Sequence, residues 1–553
     1  MEGSIAHKAP APFAHQPLAI TRVDLLLDEA VRLHGSKSAV HFLGKLWTYA
    51  EIGALVDRAA AGLQRIGVKK GDRIGLCLPN TPYSVILYFA VLKAGGTVVN
   101  SNPLYVEREL EHMISDSGLT IMVTMDLEVM LPKFANLVGR TSLKTVIVCP
   151  MADALPFPQS LLFRLFKRSA IARVPDSPAY VRYADLIREA GARVVAIDPA
   201  KDIAVLQYTG GTTGVPKAAM LSHANLTANV EQINYCFPEV TFGQERMLGI
   251  LPLFHVFAMT CVMNYGIRLG AELVLLPRFE IKQLLETIAK RRPTLFPGVP
   301  TLYGALSKAV AETRADLSSI KSCISGGAPL PMEIKHRFEQ LAGCRIMEGY
   351  GLTETSPVVT TSPLSGIAPD GSIGNPCVET VIEIRSPETG EIMPQGERGE
   401  LCIRGPQVML GYWNKPEEMK TAFVDGALRT GDIGYVDENG WYYIVDRLKD
   451  LIICSGFNVY PRVLEEALYQ HPAVADAVVI GVPDPYRGQA PKAFVTLHGG
   501  ATATPEDLMA HMRTHVSKIE MPKAIEIRAT LPRTMIGKLS KKELVAEEAS
   551  KAG

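Results

Sequence analysis

The period of the apolar positions changes repeatedly along this chain. Over "TYAEIGALVDRAAAGLQRIG", Thr48 to Gly67, apolar residues recur at helical spacing. Thr48 stands where an N-cap belongs and Glu51 follows three residues on, so a capping box is predicted, with Gly67 closing the helix. "DRIGLCLP", Asp72 to Pro79, reads as a short apolar strand. "SVILYFAVLKAGG" reads as a buried helix ended by Gly95 and Gly96. "TVVNSNP" is the next strand with its loop. This alternation predicts α/β layers with mostly covered sheets, a mixed α/β and α+β chain. Short strands and turns precede "VDRLKDLIICSGFNVYP", and helix and strand patterns alternate again after it. Two domains are therefore expected, a large one over residues 1–446 and a small one over residues 447–553.

One short stretch suggests phosphate binding. "YTGGTTGVPK", Tyr208 to Lys217, is rich in glycine and hydroxyls. Its backbone N–H groups can approach oxygens closely. A Walker loop would place Lys directly after the last Gly, a Ser or Thr after the Lys, and a helix beyond. Here Val215-Pro216 intervene, Ala218 follows Lys217, and "AAMLSH" reads as strand. The next helix is predicted to start later, capped by Ser222. Taken alone, the loop is equally well a glycine-rich hairpin joining two strands.

Composition narrows the partners. The 553 residues carry 57 Lys+Arg and 57 Asp+Glu, so no global charge draws the chain to nucleic acid. The nine cysteines are scattered singly, without metal-ligand spacing, and fit reduced thiols in a cytosol. The start, "MEGSIAHKAPAPFAHQP", lacks the apolar core of a secretory signal. The longest apolar run, Ser84 to Leu92, is too short to span a bilayer. A cytoplasmic protein, at most peripheral to a membrane, is expected.

Further motifs follow the glycine-rich loop in order: "LPLFHVFAM" (Leu251 to Met259), "SGGAPL" (Ser325 to Leu330), "EGYGLTE" (Glu348 to Glu354), "GELCIRGPQVMLGYWNKPE" (Gly399 to Glu417), "RTGDIG" (Arg429 to Gly434), "DRLKDLIICSGFNVYP" (Asp446 to Pro461) and "LPRTMIGKLSKKEL" (Leu531 to Leu544). Together they resemble the signatures of adenylate-forming enzymes, the superfamily of acyl-CoA synthetases, coumarate ligases, luciferases and peptide-synthetase adenylation domains. Within it the chain looks most like bacterial long-chain fatty acyl-CoA ligases. The resemblance covers nearly the whole chain.

It implies ATP, Mg²⁺ and coenzyme A. A carboxylate attacks the α-phosphorus of ATP, and a thiol then displaces AMP. The first step sets an anion against a polyanion, so fixed donors and positive charge are needed. By resemblance, Thr209, Gly210, Gly211, Thr212, Thr213 and Gly214 wrap the β- and γ-phosphates, supported by Lys217. Glu354 is the Mg²⁺ carboxylate and Thr353 meets the α-phosphate. Tyr350 stacks on adenine beside the backbone of Glu348, Gly349 and Gly351. Asp432 takes the ribose hydroxyls, and Arg447 supports the ribose or phosphate side. Lys538 bridges the attacking carboxylate and the α-phosphate from the small domain. Lys449 is the hinge. Ser455, Gly456 and Phe457 line the thiol path once that domain turns, and Arg268 resembles a position contacting the CoA nucleotide.

The resemblance places His255, Met259, Gly326, Gly327 and Ala328 around the acyl pocket. Some long-chain relatives carry Trp where Met259 stands, so this chain departs from that gate. "SLLFRLFKRSAIARVP", Ser160 to Pro175, written as a helix, gathers Arg164, Lys167 and Arg168 on one face and Leu162, Leu165, Phe166 and Ser169 on another. The insert resembles one found in bacterial long-chain fatty acyl-CoA ligases, and that resemblance implies contact with an anionic membrane through Leu161 to Arg173. A helix packed on the core with a solvated basic edge is the alternative. The expected substrate is a medium- or long-chain fatty acid. An aryl acid:CoA ligase is the alternative within the fold, and a P-loop ATPase is the alternative from another class.

Overall fold

The computed structural model describes residues 17–209, 216–237, 239–362, 368–455, 457–534 and 538–552. Two large sheets form the bulk of the molecule. In one, the parallel strands Leu295–Gly298, Ser322–Gly326 and Arg345–Gly351 lie side by side in a nine-stranded sheet. In the other, an eight-stranded sheet, Arg73–Leu76, Thr97–Asn100 and Ile203–Tyr208 are parallel neighbours. The strands Thr97–Asn100 and Ser322–Gly326 are buried at every position. This is why they read as continuous apolar or small-residue runs rather than alternating ones. Between the sheets the helix Pro82–Lys93 is buried on nearly all sides, as its uninterrupted apolar sequence requires.

Local signals act where they were read. The Thr48 side chain accepts from the Glu51 N–H and Glu51 reaches back, closing the capping box of the helix Tyr49–Arg65. Ser222 caps His223–Cys236 through the Asn225 N–H. Ile203–Tyr208 pairs antiparallel with Ala218–Ser222, and the Thr209 N–H donates to the Lys217 carbonyl at 2.8 Å. The strands on either side of residues 210–215 thus pair antiparallel, and a strand, not a helix, follows Lys217.

A five-stranded antiparallel sheet follows, ending in Tyr442–Arg447. The chain enters the last sheet at Ile452–Cys454. The change of sheet therefore lies between Arg447 and Ile452, just past the boundary expected after Asp446, because pairing with Ala427–Val436 carries the strand through Arg447. The last sheet has its own core around Ile452, Leu464, Val479, Ala493 and Leu508.

One expectation needs correcting. The helix predicted across Ser160 to Pro175 is only Gln159–Phe166, and Arg168–Ala170 forms a separate short turn. Ile171 bridges to Leu127 and the Ala172 N–H donates to Asp126, which pulls the chain straight. Lys167 and Arg168 therefore do not share a helical face with Arg164, which pairs instead with Asp153. The apolar side is real and bare: Phe157, Leu165 and Phe166 are 83%, 62% and 77% exposed.

Candidate active site

The carboxyl ends of parallel strands are where ligands bind in open α/β sheets, and the candidate residues collect there. The strand Ser322–Gly326 ends in Gly326-Gly327, and its neighbour Arg345–Gly351 ends in the Tyr350-Gly351 pair. Gly327 has φ +81°, and a Cβ there would lie 2.9 Å from Cε of Lys538 and 3.3 Å from its Nζ. The lysine of the small domain thus rests on the bare backbone of the large one. Burial, followed by repulsion from Arg447, brings the Lys538 ammonium down to about 8, with Asp432 opposing. His255 is near enough to feel that charge. Burial first and Lys538 second hold its imidazole down at about 4, and its Nδ1 accepts from the Phe257 N–H.

Beside the lysine, buried Asp432 is held from both sides. The Tyr350 hydroxyl donates to its Oδ2 at 2.7 Å, and Arg447 Nε lies 3.0 Å from its Oδ1. Burial and then the Asp432 charge push the Tyr350 phenol well up, so it stays a donor. Each carboxylate oxygen retains a second lone pair, enough for a diol. Tyr350 also packs against the cluster around Val359 and Tyr442. Its core role and its site role are therefore compatible. Glu348 sits 3.5 Å from Lys335 Nζ, and its backbone carbonyl accepts from Ser362.

A third group surrounds Glu354, in the short turn Thr353–Thr355. The Tyr412 hydroxyl donates to Glu354 Oε1 at 2.7 Å, and Lys217 Nζ stands 5.2 Å over the Tyr412 ring. Tyr412 was missed by the reading of the sequence. It lies in the quoted "GYW", and its strand Gly411–Tyr412 pairs with Ala219 and Met220 at the base of the hairpin. That pairing, with the Met409 N–H donating to the Glu354 carbonyl at 2.8 Å, brings it to the site. A single carboxylate beside a threonine fits Mg²⁺, which takes its other oxygens from phosphates and water. Among the described residues no three His, Cys, Asp or Glu side chains cluster as a metal cage.

Other expected residues lie apart. Met259 is fully buried and its Sδ accepts from Asn100 at 3.2 Å, which packs it beneath the strand Thr97–Asn100. A narrow apolar cavity lies deeper, lined by Ile233, Phe237, Cys261, Tyr265 and Phe296 among others. Arg268 is bound to Glu231 at 2.6 Å and stands over the Phe242 ring, on a separate patch. Ser455 is exposed with φ +52°, and Phe457 beyond it is 62% exposed. Lys449 lies in the short turn Leu448–Asp450, its ammonium lowered by burial and then by Arg447. Ala328 follows Gly327 in the same loop. Gly210, Gly211, Thr212, Thr213, Gly214 and Gly456 lie outside the described residues.

A lysine from the small domain laid over a glycine loop, beside a Tyr–Asp–Arg set at the strand ends, is the arrangement expected from the resemblance to adenylate-forming enzymes. Residues 27–413 match the AMP-binding enzyme family and residues 463–538 its C-terminal domain. The chain belongs to the AMP-binding enzyme family. It is 45% identical to a long-chain-fatty-acid–CoA ligase of Bacillus subtilis (strain 168), over 98% of this chain and 96% of that one. A feruloyl-CoA synthase of Amycolatopsis sp is 34% identical over 93% of this chain and 96% of its own. ATP-bound MatB from Rhodopseudomonas palustris superposes with a TM-score of 0.83 at 28% identity, covering 95% of this chain and 99% of that one.

Proposed function

We propose that this protein is an ATP-dependent, AMP-forming fatty acid:CoA ligase acting on medium- or long-chain acids. The observation that carries the reading is the contact of Lys538 with Gly327 beside the Tyr350–Asp432–Arg447 set. In the first half-reaction an acid oxygen bonds to the α-phosphorus of ATP and the bond to the β-phosphate oxygen breaks, releasing pyrophosphate. Lys538 neutralises the approach of the two anions. Asp432 holds the ribose, with Tyr350 and Arg447 fixing its carboxylate. Glu354 would hold Mg²⁺, which when bound would neutralise charge on the phosphates, and Tyr412 fixes the Glu354 rotamer. Lys217 supports the phosphate loop. In the second half-reaction the CoA sulfur bonds to the acyl carbon and AMP leaves. Once the small domain has turned, with Lys449 as the pivot, Ser455 and Phe457 would line the path of the thiol, and Arg268 is a candidate contact for the CoA nucleotide.

The long-chain-fatty-acid–CoA ligase of Bacillus subtilis supports a fatty acid as the substrate class. The feruloyl-CoA synthase makes aromatic acids the competing reading. A pyrophosphate-release screen over saturated and aromatic acids, with ATP, Mg²⁺ and CoA, decides between them. Strongest release with fatty acids is expected. Preference for cinnamic-type acids would replace the substrate assignment, and phosphate rather than pyrophosphate release would overturn the reaction.

No helix among the described residues is long and apolar enough to cross a membrane. Peripheral contact is proposed through the exposed Phe157, Leu161, Leu165 and Phe166, which lie together on and before the helix Gln159–Phe166. With Arg164 paired to Asp153, burial of these side chains is the main driving term, at about 25 cal/mol per Å². In liposome flotation the protein is expected to rise with the vesicles, and a Leu165→Ser, Phe166→Ser double variant to stay below. Equal behaviour of the two would refute membrane contact at this helix.

A further inference from the structure

The connection between the two parts of the chain carries a buried carboxylate that the reaction does not use. Asp446 stands one residue before the end of the strand Tyr442–Arg447 and is 4% exposed. Its Oδ1 accepts from the Arg447 N–H at 2.7 Å. Its Oδ2 accepts from the Arg462 N–H, also at 2.7 Å. Arg462 lies in the first turn of the helix Pro461–Tyr469, the first helix of the small domain. The second bond therefore crosses the connection, from the last strand of one part to the first helix of the other.

The same neighbourhood reaches the lysine loop. Lys541 opens the helix Lys541–Ala552, and its Nζ lies 3.2 Å from Glu465 Oε1 and 3.8 Å from Asp450 Oδ2. Burial works against this ammonium, but Glu465, Asp446 and Asp450 outweigh it and hold its pKa above the usual value. Three residues earlier stands Lys538, in a loop closed by Thr534 N–H to the Lys538 carbonyl and by Ser540 N–H to Pro532. Asp446 thus grips the helix that bears Glu465, Glu465 grips Lys541, and Lys541 fixes the foot of the Lys538 loop.

A carboxylate on two backbone N–H groups forms strong charge-assisted bonds, and a helix N-terminus favours the negative charge. The Arg462 bond requires one particular orientation of the small domain. Turning that domain about residues 447–450 draws the Arg462 N–H away from Asp446. We propose that Asp446, with Lys541 as its counter-charge, is the pin that holds Lys538 over Gly327 in the adenylating arrangement. Neither residue touches the reacting groups, so both are positioning residues. The inference rests on the assignment of Lys538 to the first half-reaction.

The test uses Asp446→Asn, Lys541→Met and Lys541→Arg in the full chain, with Lys538→Ala as a control. Two rates are measured: ATP–pyrophosphate exchange with acid, and conversion of a supplied acyl-adenylate to thioester with CoA. Thermal unfolding is followed alongside. Losing a buried charge-assisted bond corresponds to about a tenfold effect or more. Asp446→Asn and Lys541→Met are expected to lower exchange by about that factor while thioester formation stays constant or rises. Lys541→Arg should restore exchange. Should Asp446→Asn fail to fold, the Met and Arg variants of Lys541 decide the matter alone. Parallel losses in both half-reactions, as for a simple helix cap, would overturn the pin. So would no loss in either, or Lys541→Arg failing to restore exchange. If Lys538→Ala spares exchange, the underlying assignment fails instead, whatever the other variants do.

Discussion

Lys538→Ala should lower acid-dependent ATP–pyrophosphate exchange by about 10²–10³-fold, the usual loss when one preorganised charge is removed from a transition state. Thioester formation from supplied acyl-adenylate should be nearly unaffected. The reason is geometric. The Lys538 side chain lies on Gly327 next to Asp432 and Arg447, where, on the proposed mechanism, it would meet the oxygens of an attacking acid and the α-phosphate. On that mechanism its charge would have no further task once the adenylate exists. Equal losses in both half-reactions would contradict the division of labour. The wild type offers a second check. With Lys538 held at about 8 by burial and then Arg447, kcat/KM for exchange should be level near pH 7 and fall as pH rises through about 8. The sign for stability is opposite. A folded-state pKa below the unfolded one means the unfolded chain binds more protons above pH 8, so this group makes folding more favourable as pH rises there. Loss of exchange without loss of fold therefore identifies the lysine.

Gly351→Ala is expected to cost both stability and adenylation. A Cβ at Gly351 would fall 1.8 Å from the Pro357 carbonyl oxygen and 2.7 Å from its carbon. Both are backbone atoms, so no side chain can swing aside. That carbonyl also accepts from the Leu352 N–H and the Thr355 hydroxyl, which shape the turn presenting Thr353 and Glu354. Opening the contact should cost roughly 1–3 kcal/mol or more. It should also displace Glu354 from Tyr412. A lowered melting temperature together with a raised Mg²⁺ requirement for exchange is the expected result. A variant with wild-type melting and exchange would show that the turn is looser than this packing implies.

What could be read from the sequence was whatever neighbouring residues decide. The Thr48–Glu51 box and the Ser222 cap are contacts within one turn, so sequence spacing suffices. The hairpin nature of the glycine-rich loop followed from Pro216 and the strand-like run after Lys217, and the strand pairing agrees. Contacts across long separations were not legible. Tyr412 and Glu354 are 58 residues apart, and Tyr350 and Asp432 are 82 apart. No local pattern announces either bond. The basic helix failed for the same reason. Its length is set by the bridge of Ile171 to Leu127, a tertiary contact that overrides an acceptable helical pattern. Met259 was placed at the pocket only by resemblance, and its contact with Asn100, 159 residues away, is another that no local pattern announces.

All nine cysteines are buried. A natural sequence has thereby supplied a nearly silent background for site-specific labelling. Tyr486, 91% exposed on the small domain, could be exchanged for cysteine and would carry the one fully solvent-facing thiol among the described residues. A fluorophore attached there would report the turning of that domain during single turnovers, without first stripping the protein of its own sulfur.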